Sequence, residues 1–162
     1  MIKPESLRAQ LTAAIPELKR DPDRMLLFIK EGGLAATLAP GLSFEYRYTL
    51  HLIITDFGGH PDAVMVPLLV WLARNQSELL ANPSLRDGIA FEAELLANDK
   101  VDLEIRLPLT ERVGVHKQQG GGYKVEHYPE PEIESTLPGG RWDVYLQGEW
   151  IGGWDAPDAA AG

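Results

Sequence analysis

Alternating apolar and polar positions predict a long β-strand in the first half of the chain. From Phe44 to Ile54 every second side chain is apolar or aromatic, and Glu45, Arg47 and Thr49 stand between them. Because successive side chains of a strand point to opposite faces of the sheet, the pattern predicts a strand over residues 42–55 with one buried face. The sequence DFGGHPD follows directly and is typical of a turn.

Two segments with helical spacing lie on either side of this strand. Residues 4–14 and 61–76 repeat apolar positions every three or four residues, which predicts two amphipathic helices. The repeating positions are Leu7, Leu11 and Ile15 in the first, and Val64, Leu68 and Leu72 in the second. Pro67 interrupts the second pattern, and we expect it to kink or divide that helix because it removes a backbone hydrogen bond.

Further period-two segments predict additional strands. Residues 24–31 form an apolar run that Gly32 and Gly33 are expected to end, and residues 34–38 form a second small strand. Residues 89–96 and 101–110 alternate around turn-forming residues at 98–100 and predict a β-hairpin. Pro108 indicates a sheet edge or a strand end. Residues 118–122 are either a glycine-rich linker or a hairpin tip, and residues 123–128 alternate again.

The order of these elements predicts an α+β fold with a mostly antiparallel sheet flanked by two main helices. We place the core domain at residues 1–116 and a hairpin or arm at residues 117–155. This Trp-rich C-terminal extension is expected to pack on the core or on a neighbouring subunit. Residues 156–162 consist of Ala, Gly, Pro and Asp, and we expect a disordered tail there.

Composition narrows the classes of function. The chain has 162 residues, of which 44% are hydrophobic and 24% charged, as in soluble globular proteins. Its formal net charge of −9 argues against nucleic acid as the main partner. The absence of cysteine excludes disulfides, a thiolate nucleophile and Cys-based zinc sites. No stretch predicts a signal peptide or a membrane span, so we expect a cytoplasmic protein.

Candidate chemistry is confined to the turn after the long strand. Asp56, His60 and Asp62 could serve a small metal-dependent hydrolase, since carboxylates and His bind transition metals. Their spacing matches no metal motif, and turn chemistry explains the same residues. Asp56, Gly58, Gly59 and Pro61 would then form a structural turn that starts the second helix. We favour that interpretation and expect no catalytic residues, no metal and no cofactor.

Aromatic residues predict an interaction surface. Large aromatic side chains are enriched at protein interfaces, and this chain concentrates them in the long strand and near its C-terminus. The simpler alternative is that the C-terminal group packs on the chain's own sheet. The candidate interface residues are Tyr46, Tyr48 and His51 in the strand, and Trp142, Tyr145, Trp150 and Trp154 near the end of the chain.

Seven long strings spread over the first 115 residues resemble the phage tail completion protein R (GpR) family of contractile-tailed temperate phages. They are KPxSLRAxLTAAIPEL at residues 3–18, DPDR at 21–24, SFEYRYTL at 43–50, TDFxGHPD at 55–62, MVPLLxWL at 65–72, NQxELLxNP at 75–83 and VDLxIxLPLTERV at 101–113. After Gly114 the resemblance is looser.

The resemblance implies a structural virion protein for tail completion. It implies a tail-terminator-like fold and a ring, a homohexamer, that caps the tail tube or sheath and makes it competent for head joining. The implied partners are further copies of the chain and the tube, sheath or head connector, with DNA passing through the ring and no specific nucleic-acid binding. The protein would reside in the host cytoplasm during assembly and then in the virion tail. A non-virion binding module that uses the Trp-rich end remains an alternative.

Overall fold

A computed structural model describes residues 1–36, 41–131 and 137–156. Within these ranges the chain forms an α+β fold of four α-helices and seven strands. The helices are α1 (Lys3–Ala14), α2 (Pro16–Arg20), α3 (Asp62–Asn75) and α4 (Glu78–Ala81). The strands are β1 (Met25–Ala36), β2 (Phe44–Phe57), β3 (Ala90–Leu95), β4 (Val101–Lys117), β5 (Tyr123–His127), β6 (Gly140–Leu146) and β7 (Glu149–Ala156).

Five strands form one antiparallel sheet in the order β1-β2-β4-β3, with β5 paired to β4. One edge of β4 pairs with β2 along almost its whole length. The other edge pairs with β3 at residues 101–106 and with β5 at residues 113–117. Residues 107–112 of that edge therefore lie between two strands, and Pro108, which lacks an N–H donor, occupies this gap.

The hydrophobic core lies between this sheet and the helices. Leu50, Leu52 and Ile54 point from β2 to the helix side, as the alternation predicts. The helices α1 and α3 pack on each other and bury their apolar stripes in the same cluster. The β6–β7 hairpin packs on α1, and Trp154 joins the core. Close approach requires Gly152, because a Cβ there would lie 2.8 Å from the carbonyl oxygen of Ala14.

The structure corrects the prediction for β1. Gly32 and Gly33 do not end the strand, which runs without interruption from Met25 to Ala36. Its register with β2 shifts between Lys30 and Gly33, and Glu31 adopts a positive φ of 54°. The glycines therefore belong to a β-bulge, which inserts an extra residue into a continuous strand. The end of the predicted small strand, residues 37–38, falls outside the described residues.

The predicted hairpin at residues 89–110 is confirmed, but its second arm is longer than expected. β4 continues to Lys117 and turns through residues 118–122 into β5, so the glycine-rich segment is a hairpin tip. The domain boundary predicted at residue 116 falls inside this hairpin. Pro67 lies within α3 and does not divide it. Most of the predicted tail, residues 157–162, is outside the described part of the chain.

No helix in the described ranges is both long and apolar enough to cross a membrane.

Candidate functional site

The three candidate interface residues of β2 have different surroundings. Tyr46 is half-buried, and its ring meets Phe44 edge to face with the centroids 4.9 Å apart. Tyr48 is buried on the helix side of the sheet. His51 lies on the opposite face, yet it too is buried, and its ring stacks on Phe28 with the centroids 5.2 Å apart. Contacts within one chain account for Tyr48 and His51, and their place at an interface stays a prediction.

The Trp-rich hairpin has an inner and an outer aromatic pair. Trp142 and Trp154 stack with their centroids 5.6 Å apart, and Trp154 is buried against the core. Tyr145 and Trp150 are cross-strand neighbours that are 62% and 45% exposed. The hairpin therefore packs within the chain through the inner pair, while the outer pair presents aromatic surface to solvent.

Polar groups hold Trp150, one member of the outer pair, in place. The indole Nε1 of Trp150 donates a hydrogen bond of 2.9 Å to Asp143, and Arg141 donates to the same carboxylate oxygen at 3.0 Å. The hydrogen bonds from Trp150 and Arg141 lower the pKa of Asp143. An ordered Tyr, Trp and Arg side by side is the composition found at the energetic centres of protein interfaces.

The residues of the predicted structural turn lie between β2 and α3, beside a residue that the sequence did not reveal. Asp56 itself belongs to the end of β2, which runs to Phe57. The carboxylate of Glu17, in α2, accepts hydrogen bonds from the backbone N–H groups of Gly58 and Gly59 at 3.0 and 3.2 Å. Gly59 is required because a Cβ there would lie 2.7 Å from the Phe57 ring. Pro61 immediately precedes the first residue of α3. Glu17 thus ties this turn to the N-terminal helices.

The three residues of the metal hypothesis do not form one cluster. Asp56, at a positive φ of 53°, binds the Lys100 ammonium at 2.8 Å, and the hydrogen bond from Lys100 lowers the pKa of Asp56. His60 and Asp62 contact each other at 3.3 Å. Among the described residues, no group of three His, Cys, Asp or Glu side chains could hold a metal ion.

A buried carboxylate in β4 forms the main polar cluster of the described structure. Glu111 is only 3% exposed. It accepts hydrogen bonds from the backbone N–H of Ile2 at 2.8 Å, the N–H of Lys3 at 3.2 Å and the hydroxyl of Tyr48 at 2.5 Å. His127 Nδ1 lies 3.0 Å from Oε2, the carboxylate oxygen that accepts from Ile2. Glu111 therefore joins the start of α1, the centre of β2 and the end of β5.

The Lys3 side chain extends this cluster to the C-terminal end of α3. Its ammonium lies 2.7 Å from Gln76 and 2.6 Å from Glu130. Gln76 in turn accepts from the backbone N–H of Thr110 and donates to its hydroxyl. The Gln76 amide thus provides the hydrogen-bond partner for the Thr110 N–H of β4, which lies in the gap between β3 and β5. Burial lowers the pKa of Lys3, and the hydrogen bond to Glu130 opposes that shift.

The cluster is a structural anchor. Burial alone would raise the pKa of Glu111, but the bonds from Tyr48 and from the N–H groups of Ile2 and Lys3 lower it. Burial and the bond to Glu111 raise the pKa of Tyr48 far above its ordinary value. Sequence reasoning missed Glu111, although the β4 alternation, continued past Leu109, puts it at an inward position.

The opposite end of the sheet leaves apolar side chains uncovered. In the edge strand β3, Phe91 is 60% and Leu95 is 86% exposed, although both point to the helix side. On the outer face, Leu26 and Phe28 of the other edge strand are also exposed. Exposed apolar side chains on open strand edges are unusual in a monomer and favour contact with another chain.

Comparisons with known proteins identify the family. The family model described as P2 phage tail completion protein R (GpR) matches residues 1–131. The tail completion protein R of Escherichia phage P2 is 40% identical over 157 residues, covering 96% of this chain and 99% of that protein. No solved structure matches. A match of this length confirms the resemblance of the sequence strings, and the chain belongs to the P2 phage tail completion protein R (GpR) family.

Proposed function

We propose that this chain is a structural protein that takes part in completing a phage tail. The observation that carries the proposal is the 40% identity over 99% of the P2 tail completion protein R, since it spans nearly the whole of both chains. The exposed aromatic pair and the open strand edges suit a protein that works by binding other chains. Neither the metal-hydrolase hypothesis nor the non-virion binding module gains support from the comparisons.

We further propose that copies of the chain form a ring, a homohexamer, that caps the tube or sheath of a contractile tail. The edge strand β1 on one side of the sheet differs in sequence from β3 and β5 on the other, as head-to-tail contacts around a ring require. The net charge of −9 suits a ring through which DNA passes without being held. The ring would form in the host cytoplasm and stay at the end of the virion tail, ready for head joining.

Electron microscopy of tails assembled without this chain tests the proposed function. Supplying the wild-type chain from a plasmid provides the matched control. Tubes of uncontrolled length would indicate a terminator, and tails of normal length that carry no heads would indicate a role in joining. Normal, head-bearing particles in the absence of the chain would contradict a role in tail completion.

The mass of the assembled protein tests the ring. We expect a species of about six times the monomer mass of 17.9 kDa, free or on tail ends. Native mass spectrometry of the purified chain and of detergent-released tail ends would measure it. A protein that stays monomeric at high concentration and has no affinity for tail tubes would contradict the ring.

A further inference from the structure

The two open edges of the five-stranded sheet differ in charge. β3, at one edge, carries the exposed acidic side chains Glu92 and Glu94 on the outer face of the sheet. β1, at the other edge, carries the exposed Lys30 on the same face. Among the described residues, β3 pairs only with β4 and β1 only with β2, so each edge has a free row of backbone donors and acceptors.

We propose that β1 of one copy of the chain pairs with β3 of the next copy, so that the sheets of neighbouring subunits join edge to edge. This inference rests on the self-association proposed above and names the surfaces that carry it.

Strand direction permits this pairing without turning a subunit over. β1 is antiparallel to β2, β2 to β4 and β4 to β3, so β1 and β3 of one chain run in opposite directions. A second copy placed beside β3 in the same orientation therefore presents β1 as an antiparallel neighbour. The helices of both copies then lie on the same side of a continuous sheet, and the repeat closes into a ring if each step adds a rotation.

One register matches the side chains of the two edges. It places Leu27 opposite Leu95 and Ile29 opposite Ala93 on the helix side of the sheet. Leu95, which is almost fully exposed in the single chain, gains an apolar neighbour. On the outer face the same register places Lys30 opposite Glu92, with Glu94 at the diagonal position, which long side chains reach.

Charge also disfavours the competing pairings. Two copies of β3 paired antiparallel about Ala93 would place Glu92 opposite Glu94, and like charges directly opposite destabilise a sheet. Two copies of β1 paired about Lys30 would bring two ammonium groups together. Of these three pairings, only that of β1 with β3 brings opposite charges together, so the charges of these two strands favour head-to-tail contact over a two-fold dimer formed through either of them.

Crosslinking tests which edges meet, because the chain contains no cysteine of its own. Phe28 and Glu94 would face each other across the proposed contact, so the F28C/E94C variant should give a ladder of linked chains with a short thiol crosslinker. The F28C and E94C single variants should stay unlinked. The reaction is run on the purified chain at high concentration and on isolated tails. Monomer only in both preparations, or equally efficient linking of either single variant, would overturn the proposal.

Charge reversal provides a second test with a built-in rescue. Glu94 forms no ion pair within the described part of the chain, so its reversal leaves intramolecular ion pairs intact, whereas Glu92 binds Arg106. We expect K30E and E94K each to weaken self-association about fivefold per contact. K30E/E94K should recover part of that loss, because it re-forms the diagonal ion pair while Glu92 still lies opposite position 30. Sedimentation measures association, and circular dichroism checks that each variant is folded. A double variant as weak as the single variants, or folded single variants that associate normally, would overturn the pairing.

The same variants separate this inference from the proposed function. Completed tails with the unlinked F28C/E94C variant would refute the edge pairing and leave the tail role intact. The tail role would be refuted, and the pairing left intact, if two results came together. The purified F28C/E94C variant would form linked chains, and tails assembled without the protein would be normal.

Discussion

The two ends of β4 show how one alternating strand meets two different environments. At its first end β4 pairs with β3, whose Phe91 and Leu95 are exposed although they point to the helix side. Toward its other end the carboxylate of Glu111 is buried in the same face. Hydrophobicity alone would place Phe91 and Leu95 in the interior and the Glu111 carboxylate in solvent. The comparison shows that the covering element, and not the side chain alone, decides burial at the sheet edges.

The covering helices explain the difference. The start of α1 lies over the Glu111 end and supplies the N–H groups of Ile2 and Lys3, which suit an anion because a helix N-terminus is positively polarised. Gln76 follows α3 at the same end. Phe91 and Leu95 of β3 stay exposed, so neither helix covers them. The Glu111 end is therefore expected to be rigid and sensitive to substitution, and the β3 end tolerant in the isolated chain.

The largest effect is expected from Glu111→Ala. The substitution removes the acceptor of the Tyr48 hydroxyl and of two backbone N–H groups, and we expect the free energy of unfolding to fall by about 3 kcal/mol. Urea denaturation measures it. Glu111→Gln keeps the shape and one acceptor oxygen and should cost less. A loss below about 0.5 kcal/mol for Glu111→Ala would show that the cluster does not anchor the fold.

Tyr48→Phe tests one bond of the cluster. It removes the hydroxyl that donates to Glu111 at 2.5 Å but keeps the buried ring. Because hydrogen bonds to charged groups are worth more than neutral ones, we expect a loss of about 1.5–2 kcal/mol. A double-mutant cycle with Glu111→Gln isolates the pair, and strictly additive losses would contradict a direct interaction.

Acid should weaken the Glu111 end selectively. The pKa of Glu111 is lower in the folded state than its ordinary value of 4.5, so the unfolded state binds more protons in that range. The stability that Glu111 contributes is thus present above pH 4.5 and is lost as the pH falls through the folded-state pKa. The free energies of unfolding of the wild type and of Glu111→Gln, measured from pH 7 down to pH 3, should converge as the pH falls. A difference between them that stays constant over this range would assign the acid response to other groups.

The smallest effect on stability is expected at the β3 end. Leu95→Ser removes a side chain that is already in solvent, so the free energy of unfolding should change by less than about 0.5 kcal/mol. Its register partner Val101 is buried, and Val101→Ala should cost about 2 kcal/mol. Thermal unfolding compares the two variants. Equal losses would show that Leu95 is as well covered as Val101 in the isolated chain.

Much of the fold follows from local patterns. The alternation over residues 42–55 predicts β2, helical spacing predicts α1 and α3, and the turn between residues 96 and 101 predicts the β3–β4 hairpin. The errors arise where tertiary contacts override a local signal. Gly32 and Gly33 favour a strand end, but pairing with β2 continues past them as a bulge. Pairing with β2 and then with β5 likewise extends β4 beyond Thr110.

The candidate site was less predictable than the fold. The aromatic residues were visible in the sequence, but their separation into a stack against the core, Trp142 with Trp154, and an exposed pair, Tyr145 with Trp150, depends on which face of the hairpin meets α1. The long sequence strings indicated the family independently of any geometry, and the comparisons confirmed it.

The sequence by itself determined the family and the type of most secondary structure elements, though not all their ends. The spacing of apolar residues is a local property, and sequence strings can be matched without knowledge of the structure. Only the tertiary structure decided that Glu111 is a buried anchor and that Phe91 and Leu95 stand in solvent. Burial depends on residues distant in the sequence: Ile2 and Lys3 contact Glu111 from more than a hundred positions away.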